Sequence, residues 1–161
     1  EKIIKQHNLN IEIANDNSPQ QIVISGIKSD LLNSEKIFKE CGAKKFILLN
    51  VSAAFHSPLM NEAEKKMKEF ILNTEFKESL ISIISNYSGK ISNNRKEVLD
   101  GLMKQMSNRV RWVESINSLK EINETNIIEI GPGKVLSGLI RRIDDIFDIK
   151  SIDKILDIEK I

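Results

Sequence analysis

The sequence predicts an α/β fold in two parts. An incomplete ferredoxin-like unit comes first, and a mostly parallel sheet with helices on its faces follows. Three observations carry this. Short apolar or β-branched runs at 9–14, 21–25, 45–51, 80–85 and 126–130 are separated by stretches with helical spacing. The first elements run helix, strand, strand, helix, strand, which is a βαββαβ unit lacking its first strand. From Pro58 onward longer helices alternate with single strands, the order of a parallel sheet.

In chain order, residues 1–8 read as the last turns of a helix. Leu9 to Ala14 alternates as a strand, and Asn15-Asp16-Asn17-Ser18-Pro19 is dense in turn formers. Gln21 to Ser25 is a second strand closed by Gly26. Ser29 or Asp30 caps a helix with Leu31, Leu32, Ile37 and Phe38 inward, and Gly42 stops it. A strand over 45–51 leads to His56, and Pro58 opens a helix to residue 73 with Leu59, Met60, Ala63 and Met67 on its buried face. A short strand at 80–85, a turn at Asn86–Gly89 and helices over 95–107 and 112–119 come next. Strand 126–130 then ends at Gly131-Pro132-Gly133, before helix 134–146, a strand near 149–152 and a terminal helix.

Composition excludes several classes. A net charge of +1 with both signs mixed over 29% charged residues offers no clustered basic face for nucleic acid. The apolar runs are too short to span a membrane. A single cysteine, Cys41, precludes an internal disulfide and argues against structural zinc; its place before Gly42 suggests a buried or half-buried structural thiol. No metal site is expected. The chain opens in mid-pattern at Glu1-Lys2-Ile3-Ile4, which suggests part of something longer.

The chemistry-bearing stretches are three. His56 stands at the carboxyl end of a predicted strand and next to a helix start, where α/β folds collect reactive groups. Its imidazole suits proton transfer near neutral pH, although a lone histidine there is also commonly structural. The other histidine, His7, lies in a polar stretch and reads as exposed. Gln105 to Trp112 joins two helices, where unpaired helix carbonyls can orient a histidine; a solvated junction with a core Trp112 is the plainer alternative. Gly131-Pro132-Gly133-Lys134 opens a helix whose free amides suit an anion, or it is simply a tight strand-to-helix turn. It lacks phosphate-loop spacing.

Taken together, Asn17-Ser18-Pro19-x-Gln21, Gly42-Ala43-Lys44, Ala54-Phe55-His56-Ser57-Pro58-Leu59-Met60, Gln105 with Val110-Arg111-Trp112, and the run from Glu129 to Leu139 resemble the malonyl-CoA:acyl-carrier-protein transacylase family of type II fatty acid synthesis. The motifs keep that family's order and spacing over nearly the whole chain. The resemblance implies a ferredoxin-like small subdomain, incomplete, at 1–51, and the carboxyl-terminal part of an α/β-hydrolase-like core at 52–161. The family's nucleophilic serine sits in a Gly-x-Ser-x-Gly elbow, and no such elbow occurs here. The malonate-binding arginine is likewise expected upstream, so Arg111 is not that residue.

By the same resemblance His56 matches the catalytic base, and Gln105 the residue whose main-chain carbonyl orients it. Phe55 matches a malonyl-selective position. Asn17, Gln21 and Lys45 align with positions near the CoA or phosphopantetheine arm, Lys45 in place of a frequent arginine. Arg109 departs from the usual proline. The implied reaction is ping-pong transfer of malonyl from malonyl-CoA to acyl carrier protein, without a cofactor. The implied partners are those two substrates and an amino-terminal segment carrying the serine. A monomer is expected, in the bacterial cytoplasm or in an organelle of bacterial descent. Two other readings are an acyltransferase domain of a modular polyketide or fatty acid synthase, and a non-enzymatic carrier-docking module.

Overall fold

The computed structural model describes residues 1–159. Helix α1 (Lys2–Gln6) precedes the hairpin β1 (Ile11–Ser18) and β2 (Gln21–Gly26). The two strands pair antiparallel from Ile11 with Gly26 to Ser18 with Gln21, with irregularities after Ile13 and Asp16. The expected five-residue turn is therefore mostly strand. Asn15 to Ser18 extend β1, and only Pro19 and Gln20 turn, because Asn15, Asp16 and Ser18 find ladder partners in Val23, Ile22 and Gln21. Helix α2 (Lys28–Glu40) begins earlier than expected, with Ile27 in place of Ser29 or Asp30 at the N-cap and no side-chain cap. It stops at Gly42, whose φ of 98° is cheap only for glycine. Cys41 is exposed, which corrects the expectation of a buried thiol.

The segment 45–51 does not form the expected strand. Ile47, Leu49 and Val51 are largely exposed, and only Phe46 is anchored, its ring stacked 6.2 Å from that of Phe38. The residue types suit a strand, but a strand needs a ladder partner, and none is present among the described residues.

One 3-10 turn, Pro58–Met60, runs into α3 (Asn61–Leu72), whose first turn carries Glu62 and Glu64 toward the positive end of the helix. Met60 and Ala63 are half-buried as expected, but Leu59 and Met67 face solvent. The strand expected at 80–85 shrinks to β3 (Ile83–Ile84), paired antiparallel with β4 (Ile91–Ser92). Helix α4 (Arg95–Lys104) is capped by Asn94, whose side chain accepts from the Glu97 amide at 3.0 Å. Helix α5 (Trp112–Glu121), strand β5 (Asn126–Ile130), helix α6 (Val135–Ile143), strand β6 (Asp148–Ile152) and the short helix α7 (Ile155–Ile158) follow.

Strands β5 and β6 are parallel and in register from Asn126 with Asp148 to Ile130 with Ile152. They form the only parallel pair of strands among the described residues, so the expected mostly parallel sheet is reduced to one ladder of two strands beside two antiparallel pairs. Over that pair Ile116 of α5, Ile140 of α6 and Phe147 form the core, with Trp112, Leu119, Ile127, Ile143 and Ile149 packed on it. One isolated bridge, Asn15 to Val110, ties β1 to the junction between α4 and α5. It brings the first part of the chain against the second.

Candidate active site

The His56 loop is built by local hydrogen bonds. The buried Ser57 donates its hydroxyl to the Ala54 carbonyl at 2.7 Å, and the Met60 amide reaches back to the Ser57 carbonyl at 2.9 Å. Ser57 is thereby spent on the turn and is no candidate nucleophile. His56 holds a φ of 59°, in the left-handed region that few non-glycine residues adopt. Such a conformation persists where the surroundings over-determine it, and it collects at functional sites.

The surroundings are the junction after α4. The His56 amide donates to the Met106 carbonyl at 3.1 Å. His56 Nδ1 lies 3.0 Å from the Gln105 carbonyl and 3.2 Å from the Asn108 carbonyl. Both oxygens can only accept, so Nδ1 carries the hydrogen and Nε2 of the neutral ring keeps its lone pair. The predicted pairing of His56 with the Gln105 main chain is present. Sequence reasoning missed the second carbonyl, from Asn108, and the amide tie to Met106; the one signal for them was the cluster of polar residues at a helix stop.

The junction is itself braced. Asn108 Nδ2 donates to the Lys104 carbonyl at 2.8 Å, and Gln105 Nε2 donates to the Asn108 carbonyl at 3.2 Å. Glu64 Oε2 on α3 accepts from both the amide and the hydroxyl of Ser107, at 2.8 and 2.6 Å. Arg109 pairs with Glu1 at 2.7 Å and with Glu114 at 3.5 Å, and Arg111 pairs with Glu114 at 2.8 Å. These contacts fix the turn where the resembled family carries a proline. Asp16 lies beside this cluster, and its carboxyl is pushed above the usual range by burial, against the pull of Arg109.

The other expected site residues are less closely joined. Phe55 precedes His56 and is half open to solvent, at 46% exposure. Asn17 is half-buried on β1, two residues beyond the Asn15 bridge. The Gln21 side-chain oxygen accepts from Arg142 of α6 at 3.0 Å, and Lys45 is exposed. No hydrogen bond links these three side chains to His56 among the described residues.

The anion reading of Gly131-Pro132-Gly133 does not stand. Glu129 accepts from the Leu136 amide at 2.9 Å and from the Ser137 amide and hydroxyl, so the start of α6 is already capped by a carboxylate of its own chain. Asp153 takes the Gly133 amide at 3.2 Å. No group of His, Cys, Asp and Glu able to hold a metal occurs among the described residues.

No family model matches the chain. It is 40% identical over 144 residues to malonyl CoA-acyl carrier protein transacylase of Bacillus subtilis, covering 89% of this chain and 45% of that protein. It is 43% identical to the Bacillus subtilis polyketide biosynthesis protein PksE, of which it covers 18%. Among solved structures, acyl-carrier-protein S-malonyltransferase of Burkholderia pseudomallei superposes with a TM-score of 0.92 at 33% identity, over 98% of this chain and 52% of that one. The chain thus spans about half the length, or less, of these relatives. By sequence and by fold, over nearly its whole length, it belongs to the malonyl-CoA:acyl-carrier-protein transacylase family.

Proposed function

We propose that these residues supply the proton-transfer half of a malonyl-CoA:acyl-carrier-protein transacylase site. The observation that carries this is the His56 ring, whose Nδ1–H is given to two main-chain carbonyls so that Nε2 is free to act as a base. A carbonyl takes the place of a triad acid in holding the tautomer. The nucleophile is a serine on polypeptide outside these 161 residues, since no Gly-x-Ser-x-Gly occurs among them.

In the first half-reaction Nε2 takes the serine proton as the oxygen bonds to the malonyl thioester carbon. The carbon–sulfur bond breaks, and the imidazolium gives its proton to the departing CoA thiolate. In the second half Nε2 deprotonates the carrier protein's phosphopantetheine thiol. The sulfur bonds to the acyl carbon, the ester opens, and the proton returns to the serine oxygen. Phe55 narrows the space beside the acyl group. Asn17, Gln21 and Lys45 lie along the arm of CoA or phosphopantetheine, Lys45 as a point charge for phosphate. Gln21 keeps its amide N–H groups for this role, because among the described residues its side chain is engaged through its oxygen, by Arg142.

The finer architecture belongs to the same proposal. Residues 1–51 form most of a ferredoxin-like small subdomain, and residues from 52 onward form part of an α/β-hydrolase-like core. The exposed apolar face of 47–51 and the exposed Ile128 and Ile130 on β5 fit strands contributed by the remaining length of such a protein. Substituting His56→Ala in the full-length protein and following malonyl-serine formation from malonyl-CoA tests the reading. A missing burst is expected, and an unaffected burst overturns it.

A further inference from the structure

Glu64 is the side chain in this region whose role the proposed mechanism leaves unassigned. It sits in the first turn of α3, eight residues after His56, and is half-buried. Its Oε2 accepts the amide and the hydroxyl of Ser107 at 2.8 and 2.6 Å. Ser107 is itself buried. It lies between Met106, whose carbonyl takes the His56 amide, and Asn108, whose carbonyl takes the imidazole Nδ1–H.

The contacts form a closed ring. His56 leads through Ser57 and the 3-10 turn into α3. From α3, Glu64 reaches Ser107, and the carbonyls on either side of Ser107 return to the His56 main chain and ring. A charged acceptor with two donors is among the stronger hydrogen-bonding arrangements in a partly buried setting. To the Asn108, Arg109 and Arg111 bonds it adds a tie from the junction to α3, just past the end of α4, where helix termini fray. The cradle is also what keeps a positive φ at His56.

We infer that Glu64 is a positioning residue. It clamps the Ser107 turn so that the Gln105 and Asn108 carbonyls meet His56 Nδ1 and hold the imidazole with Nε2 free. The catalytic consequence rests on the transferase reading above, but the effect on the ring does not. Misplacement of such a group by about 1 Å can cost on the order of 100-fold in rate.

The test uses the full-length protein with Glu64→Ala, Glu64→Gln and Ser107→Ala. Nitrogen-15 NMR of His56 without substrate reads the tautomer, and steady-state malonyl transfer reads kcat and KM. Glu64→Ala is expected to populate the Nε2–H tautomer and to lower kcat about 10- to 100-fold with KM for malonyl-CoA unchanged. Glu64→Gln, whose amide oxygen can accept the same two donors, is expected to restore most of both. Wild-type tautomer and kcat in Glu64→Ala, or equal damage in Glu64→Gln, would overturn the inference. If Glu64→Ala does not fold, Ser107→Ala is read instead; it loses one of the two bonds to Glu64 and the one its hydroxyl accepts from Asn108 Nδ2, and a wild-type tautomer and kcat there would overturn it equally. A Glu64-dependent tautomer in a protein without transfer activity would sink the transferase reading and leave the clamp standing.

Discussion

His56 gives its Nδ1–H to the main-chain oxygen of Gln105 across 3.0 Å, although 49 residues separate the two in sequence. The bond uses backbone on the Gln105 side. It follows that the two residues should respond very differently to substitution. On the proposed function, His56→Ala in the full-length protein is expected to lower malonyl transfer by on the order of a millionfold, as removal of a base acting with its nucleophile does. Gln105→Ala keeps the carbonyl and, among the described residues, loses the side-chain bond from Gln105 Nε2 to the Asn108 carbonyl, so a loss of a few-fold is expected. Stopped-flow measurement of the acyl-enzyme burst separates the two, and comparable losses would contradict a backbone role.

On the proposed function, Phe55 bears on the choice of acyl group. It directly precedes His56 in the chain and is only half covered. One methyl group is worth about 1–3 kcal/mol of discrimination. Phe55→Ser is therefore expected to raise kcat/KM for methylmalonyl-CoA relative to malonyl-CoA by roughly 10- to 200-fold. Competition assays with both thioesters check this; an unchanged ratio would remove Phe55 from selectivity.

Glu129 links strand β5 to the start of α6 and should shape acid stability. Partial burial pushes its carboxyl up, but bonds from the Ser137 hydroxyl and amide and from the Leu136 amide outweigh that, and the net effect holds it below the usual carboxylate range. A carboxyl lowered on folding contributes stability that is fully present above its unfolded pKa and is lost as pH falls through the folded value. Unfolding midpoints should thus fall more steeply below about pH 4.3, the ordinary glutamate value, in the native protein than in Glu129→Gln. Denaturant titrations from neutral to acid pH would show this, and parallel curves would refute it.

Ile140 is 2% exposed and central to the cluster with Ile116 and Phe147. Ile140→Ala is expected to cost about 2–5 kcal/mol of stability, from lost burial and the cavity left behind. Chemical denaturation reads the change directly, and a loss under 1 kcal/mol would mean that the site collapses around the gap.

Local pattern alone determined much of this chain. The helices, the two strands on either side of Pro19, the stop at Gly42 and the strand-to-helix turn at Gly131 follow from spacing, proline and glycine, which act within a few residues. The pairing of His56 with the Gln105 carbonyl was expected from the family resemblance; local pattern by itself offered only that a helix end leaves carbonyls free. What tertiary structure decided was partnership. Residues 45–51 have strand chemistry yet no ladder, since hydrogen-bond partners must come from elsewhere in space. The amides before α6 look open to an anion in sequence, but Glu129 and Asp153 already take them. Glu64 reads as an ordinary first-turn acid until folding sets it against Ser107, 43 residues away. Long-range polar contacts leave no periodic trace, because their energy depends on distance and direction rather than on sequence spacing.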